Sequence, residues 1–192
     1  CCLGRRTGVE IMSLEQEEFL KEHGYFVVHD VMPKDVCENL AKEFARDAEY
    51  IGVKDDLCPS VNGLYNHMPF VRTLVGLVPH ISHLVGEAVL PTYAYARHYN
   101  HQGADLKRHK DRQACELSMT LNIRKTHDWP IWLTDRKGND VSIDLPVGSG
   151  LLYHGIELEH WRHPYTGSDH INVFLHWVRA FGAYSNYVFD RG

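Results

Sequence analysis

Beyond Pro91 the chain alternates apolar and polar residues with a period of two, and that pattern restricts the fold more than any other feature. The runs are YAYARHY (93–99), ELSMTLNI (116–123), PIWLTD (130–135), VSIDLPV (141–147), GLLYHG (150–155), ELEHWR (157–162) and INVFLHWV (171–178). Turn-forming residues separate them at 100–103, 138–139, 148–150 and 166–168. Short strands with such punctuation predict a β-sandwich or barrel, and they exclude βαβ units, which need helical runs between strands.

Ahead of Pro91 the period changes. Ser13-Leu14-Glu15-Gln16 has the form of a capping box and opens a helix that runs to about His23, where Gly24 supplies the stop. YFVVH (25–29) reads as a strand. Pro33 opens a second helix with Val36, Cys37, Leu40, Ala41, Phe44 and Ala48 on one face. A third helical region is expected over 70–89, interrupted near Pro79. Helices first and strands afterwards make an α+β chain in which the helices buttress one sheet. The expected organisation is one domain over 12–192, with helical support at 12–90 and the strand core at 91–180. Residues 1–11 read as an upstream extension.

The 192 residues carry a net charge of -5, which gives no electrostatic case for nucleic acid or an anionic membrane surface as partner. No apolar run approaches the roughly 20 residues that span a bilayer. Five cysteines, an odd number without a C-x-x-C pair, argue against a disulfide framework and a zinc ribbon. They fit a reducing, cytoplasmic compartment, with Cys37 and Cys115 as core thiols.

The alternation also sorts the faces of each strand. Leu117, Met119, Leu121 and Ile123 share one face of 116–123; Glu116, Ser118, Thr120 and Asn122 share the other. In the last strand Ile171, Val173, Leu175 and Trp177 oppose His170, Asn172, Phe174 and His176. Tyr93, Tyr95, Arg97 and Tyr99 lie together, opposite Ala94, Ala96 and His98. The polar faces carry Tyr, Asn, Thr, His and Arg where a solvated face would be rich in Lys and Glu. The expectation is that the apolar face packs on the helices while the polar one lines an interior pocket.

Within KRHKDR (107–112), His109-x-Asp111 offers two metal donors. His127, His154, His160, His163, His170 and His176 are available as a third, and His160, in a strand near the end of the sandwich, is the preferred one. Two imidazoles and a carboxylate leave open positions suited to non-heme Fe(II), and the helical HExxH spacing of many zinc enzymes is absent.

YARHYNHQGADLKRHKDRQACELSMTLNI, GSGLLYHGIELEHWRHPYTG and INVFLHWV together resemble the Fe(II)/2-oxoglutarate-dependent dioxygenase family, most nearly its prolyl-hydroxylase and phytanoyl-CoA-hydroxylase type. The resemblance spans roughly 90–180, and HGYFVVHDVMP is similar to the family's N-terminal segment. It implies a double-stranded β-helix (a jelly roll, cupin-like) with Fe(II) on the catalytic set His109, Asp111 and His160. It further implies 2-oxoglutarate and O2 as co-substrates, and hydroxylation of a small-molecule or peptidyl C–H bond with formation of succinate. Asp111 implies hydroxylation in place of halogenation, because family halogenases have Gly or Ala there.

The family's usual Arg or Lys about ten residues past the distal His is His170 in this chain. Arg162 is the substitute anchor for the far carboxylate of 2-oxoglutarate and Arg97 the second candidate, with Tyr99, Thr120, Asn122 and His170 completing that site. Lys110 is expected to point away from the metal, and Arg108 and Arg112 to rim the pocket. Trp129 and Trp132 either wall the pocket or pack. A cupin-like metalloenzyme that needs no 2-oxoglutarate and a non-catalytic β-sandwich binding module are the alternative readings.

Overall fold

The computed structural model describes residues 14–190. Ser13 of the capping box and the extension at 1–11 lie outside the described residues. Helix α1 (Leu14–His23) ends at Gly24, whose φ of +83° is the left-handed stop, and β1 (Tyr25–Val28) follows directly. Helix α2 (Lys34–Ile51) begins after Pro33 and buries Cys37, Ala41, Phe44 and Ala48, one stripe at helical spacing. Val36, assigned to that stripe, is 39% exposed.

The segment expected to be helical support also contains β-structure. Strands β2 (Val53–Asp55) and β3 (Cys58–Tyr65) form a hairpin before α3 (Met68–Gly76) and α4 (Val78–Val85). Pro79 sits in the first turn of α4, where its missing N–H leaves no helical bond unmade. The expected third helix is therefore two, and it ends early: β4 (Val89–Tyr99) starts at Val89.

The remaining strands are β5 (Leu106–His109), β6 (Leu117–Lys125), β7 (Ile131–Thr134), β8 (Asp140–Ile143), β9 (Gly150–Tyr153), β10 (His160–Arg162) and β11 (His170–Arg179). The expected strand at 157–162 shortens to β10 because Leu158 N–H donates to His154 O at 3.0 Å, a turn that consumes its first residues. Every pairing is antiparallel. A seven-stranded sheet runs β1-β9-β6-β11-β4-β3-β2, and a four-stranded sheet runs β5-β10-β7-β8. No described helix is long and apolar enough to cross a membrane.

The large sheet has two distinct faces, as its alternation requires. Ala94, Ala96, Leu117, Met119, Leu121, Ile123, Val173, Leu175 and Trp177 join Cys37, Ala41, Phe44, Phe70, Leu74, Ile81 and Leu84 from the helices in the principal core. A second core closes one end between the sheets, from Ile131, Leu133, Leu145, Leu151, Tyr153 and Leu158. The opposite face of β4, β6 and β11 turns inward and carries the buried polar residues.

One corner is held by a non-glycine residue in the left-handed region. Asn66, at φ +52°, follows β3; its N–H donates to Ala94 O at 2.7 Å and its Oδ1 accepts from Ala94 N–H at 3.1 Å. Asn tolerates this conformation better than most residues, and the paired hydrogen bonds tie the end of β3 to β4.

Phe44 is fully buried and lies 5.5 Å, centroid to centroid, from Phe70. Phe44→Ala is expected to lower stability by about 3–5 kcal/mol through lost burial and a residual cavity. Urea denaturation should display a lower midpoint with an unchanged slope.

Candidate active site

Strands β5 and β10 pair so that His109 and His160 are Cα partners. Asp111 lies just past β5, its N–H donating to Gly155 O at 2.9 Å. His109 Nε2 and His160 Nε2 each stand 3.6 Å from the same oxygen, Asp111 Oδ1. That spacing is too long for a hydrogen bond and suits donors that converge on one ion.

The other ring nitrogens explain the aim of these imidazoles. His109 Nδ1–H donates to Lys107 O at 2.7 Å, and His160 Nδ1–H donates to Leu158 O at 3.1 Å. A carbonyl only accepts, so each ring carries its proton on Nδ1 and turns the Nε2 lone pair toward Asp111. Tyr153 O–H approaches His160 Nε2 at 3.3 Å. Burial pushes the Asp111 carboxyl up, but His160 and His109 beside it and the Ser118 hydroxyl outweigh burial and hold it well below the usual carboxylate range. Burial also holds the His160 imidazole below its ordinary value. A carboxylate and neutral imidazoles are the forms that coordinate metals, so the donor set fits a divalent ion that accepts nitrogen and oxygen.

Ser118, to which sequence reasoning gave no role, and His176, offered there only as a possible metal donor, support Asp111 from behind. Ser118 O–H donates to Asp111 Oδ2 at 2.7 Å, and His176 Nδ1 lies 2.9 Å from the same hydroxyl. Both were on the polar faces of their strands, but their contact depends on the pairing of Ser118 with His176 across β6 and β11.

A cavity of about 320 Å³ opens beside these residues. Tyr65, Tyr93, Tyr95 and Phe174 form its aromatic wall; Leu106 and Ile131 also line it. Cys115 is buried in a core cluster with Tyr93, Tyr95 and Ala114, as expected, and also borders this cavity, its Sγ 3.1 Å from the Tyr93 hydroxyl. Cys37 is fully buried as well, in the principal core.

The charged residues of KRHKDR divide differently from the expectation. Lys110 and Arg112 line the cavity. Arg108 faces away from it, bound to Glu159 at 2.9 Å and Thr134 at 2.6 Å and lying over the Trp161 ring at 4.0 Å. Trp129 and Trp132 both pack, the first against Tyr99, Tyr165 and His170, the second against Trp161 and His163.

The two arginines proposed as anchors have opposite surroundings. Arg97 holds Asp55 bidentately, Nε to Oδ2 at 2.9 Å and Nη2 to Oδ1 at 2.8 Å. Asp55 also accepts from the Tyr95 hydroxyl at 2.6 Å and from the N–H groups of Leu57 and Cys58, so the β2–β3 hairpin is tied down onto β4. The Arg97 fork is thus occupied. Arg162, 3% exposed, has no carboxylate partner among the described residues. Its Nη1 donates to Trp129 O, its Cζ lies 4.8 Å from the Trp129 ring centroid, and its Nε has no partner. Burial pulls its guanidinium pKa down to about 10, which leaves it charged at neutral pH.

On the inner face of the large sheet Thr120 Oγ1 and Asn122 Oδ1 are buried without a hydrogen-bond partner, and His170, near the Arg162 charge, lies against Asn172. Asn122 and Asn172 are directly paired across β6 and β11, and the buried Tyr99 pairs with His170 across β4 and β11. An unsatisfied buried polar group costs about 1–3 kcal/mol, so these side chains hold hydrogen-bonding capacity that the described protein atoms do not meet.

No protein-family model matches the chain, and no curated protein matches it by sequence. Solved structures do match. A prolyl-4-hydroxylase from Pseudomonas putida superimposes with a TM-score of 0.66 at 15% identity, covering 86% of this chain and 98% of its own. The non-heme alpha-ketoglutarate-dependent epimerase SnoN of nogalamycin biosynthesis gives 0.71 at 10% identity, over 86% of this chain and 80% of its own. HygX from Streptomyces hygroscopicus, solved with nickel and 2-oxoglutarate bound, gives 0.68 at 13% identity over 88% of each chain. The chain shares their fold. Its architecture is the double-stranded β-helix, an α+β jelly roll buttressed by helices.

Asp55→Ala leaves the Arg97 guanidinium buried without its carboxylate. The expected loss is about 3 kcal/mol of stability, read by urea denaturation.

Proposed function

We propose that the protein is an Fe(II)- and 2-oxoglutarate-dependent oxygenase that hydroxylates a C–H bond of a small molecule or peptidyl side chain. The observation that carries this reading is the His109–Asp111–His160 donor set on the wall of a cavity, with the buried Arg162 two residues along β10 from His160. The relatives in fold are described as enzymes of this cofactor class, and several were solved with iron, nickel or 2-oxoglutarate bound.

The ligands to iron are His109 Nε2, Asp111 Oδ1 and His160 Nε2. The chemistry bound iron supplies is oxidative: of the two atoms of O2, one enters succinate as CO2 leaves, and one enters the product as its hydroxyl. Every other task falls to side chains of this chain. Lys107 O and Leu158 O hold the two imidazoles in the tautomer that coordinates. Arg162 pairs with the far carboxylate of 2-oxoglutarate, its plane set by the Trp129 ring and carbonyl. Thr120, Asn122, Asn172 and His170 offer that carboxylate and its chain hydrogen bonds, with the buried Tyr99 beside His170 on the neighbouring strand. The Arg97–Asp55 pair serves a different end, fixing the hairpin that walls the substrate cavity.

The donor set, with a buried guanidinium that has no carboxylate partner among the described residues, favours this reading over a cupin-like enzyme without 2-oxoglutarate and over a binding module with incidental histidines. Asp111 favours hydroxylation over halogenation. Buried free thiols at Cys37, Cys58 and Cys115 are consistent with a reducing, cytoplasmic setting, and the negative net charge with a substrate other than nucleic acid.

Under anaerobic conditions, Fe(II) and 2-oxoglutarate together should give a weak visible charge-transfer band that Asp111→Ala abolishes. Metal-loaded wild-type protein without that band would sink the proposal. Arg162→Lys should raise the KM for 2-oxoglutarate about tenfold while leaving Fe(II) affinity unchanged, because an ammonium cannot match the bidentate fork. An unaltered KM, measured by succinate formation, removes Arg162 from the anchor role.

A further inference from the structure

The contacts behind Asp111 have a direction. Asp111 Oδ2, on an ionised carboxylate, and Cys115 O can only accept, so the single proton of the Ser118 hydroxyl goes to them, chiefly to Oδ2 at 2.7 Å with Cys115 O at 3.3 Å. Ser118 Oγ then has only lone pairs to offer the nitrogen 2.9 Å away, so His176 Nδ1 must be the donor. Nδ1–H leaves the lone pair of a neutral ring on Nε2. That nitrogen has no hydrogen-bond partner among the described residues, and His176 lines the cavity at 5% exposure, its ring 4.6 Å from that of Tyr93.

We propose that His176 and Ser118 are positioning residues that form a one-way chain, His176 Nδ1–H to Ser118 Oγ–H to Asp111 Oδ2, ending in an acceptor at the substrate cavity. The chain has two consequences. Toward the metal, it holds Oδ2 back, so Asp111 presents Oδ1 alone to the point where both imidazole Nε2 atoms converge. Toward the cavity, it makes His176 Nε2 an acceptor, so the substrate group received there carries an O–H or N–H donor. The Tyr95 hydroxyl points the same way: it donates to Asp55 and turns its lone pairs elsewhere. This inference rests on the metal reading of His109, Asp111 and His160, but its central claim concerns a tautomer and can be read without metal.

The first experiment uses wild-type protein carrying isotope-labelled histidine, without metal, at about pH 8, well above the ordinary histidine pKa. Long-range proton–nitrogen correlation, assigned through the backbone, distinguishes the ring tautomers. His176 is expected as the Nδ1–H form, and Ser118→Ala is expected to lose that preference. An Nε2–H ring in the wild type would present a donor to the cavity and overturns both halves of the proposal. A tautomer unchanged by Ser118→Ala overturns the chain.

Co(II) titration followed by visible absorbance tests the metal half. Ser118→Ala should bind Co(II) about tenfold more weakly, with a shifted band, as loss of a partner to a ligand commonly causes. Ser118→Thr keeps the hydroxyl and should match the wild type. Equal affinity and an identical spectrum for Ser118→Ala overturn the positioning role. Wild-type protein that binds no Co(II) sinks the metal reading, and this metal half with it. A tight Co(II) site beside an Nε2–H His176 sinks only the inference.

Discussion

The candidate centre depends on one backbone register, that of β5 against β10, which sets His109 opposite His160. Side chains alternate across a strand, so a slip of one residue would send His160 to the far face and take Arg162 with it. The pairing is also irregular at a useful place. His160 pairs with His109 but Arg162 pairs with Leu106, so two residues, Lys107 and Arg108, stand opposite the single Trp161. Such a bulge frees backbone groups from the ladder. Lys107 O is the carbonyl that holds His109 Nδ1, and Arg108 swings outward to Glu159. The irregularity therefore sits at the carbonyl that orients a ligand.

The large sheet makes such a site tolerable. On its outer face β4, β6 and β11 bury an unbroken apolar set against α2, α3 and α4. Removing that area from water at roughly 25 cal/mol per Å² is the dominant favourable term of the fold. On its inner face the same strands carry Ser118, Thr120, Asn122, His170, Asn172 and His176, several of them with unmet hydrogen bonds. The strands on either side hold these side chains in place, which is the physical condition for a preorganised site.

Much of this was legible in the sequence because it rests on local periodicity. The period-two runs identified most strands of the jelly roll and both faces of the large sheet. The spacing within His109-x-Asp111, together with His160 and Arg162 two apart, marked the residues that the fold brings together. What escaped depends on pairings between distant segments. β3 reads CPSVNGLY, with Pro, Asn and Gly in place of β-branched residues, and is a strand because β4 and β2 flank it. β5 reads LKRH and has no alternation to detect. Asp55 meets Arg97 across 42 residues of chain, and Ser118 meets His176 across 58. Neither contact leaves a mark in local sequence. Arg108 and Lys110 were misread because Arg108 is drawn to Glu159, Thr134 and the Trp161 ring, while Lys110 lies beyond the end of β5, where strand alternation no longer applies.

Charge decides between the two buried arginines. A guanidinium removed from water needs an anion, and truncating a buried partner is strongly destabilising because it leaves the charge alone. Arg97 has its anion in Asp55, which burial pushes up but which Arg97 and the Tyr95 hydroxyl hold below the usual carboxylate range. Arg162 has a backbone carbonyl, an indole face and no anion among the described residues. His170, where a second cation would otherwise stand, is held well below its ordinary pKa by burial, so it contributes hydrogen-bonding capacity without charge. Arg162 is thus the buried cation left without a compensating carboxylate among the described residues, which is why the anchoring role proposed above falls to it and not to Arg97.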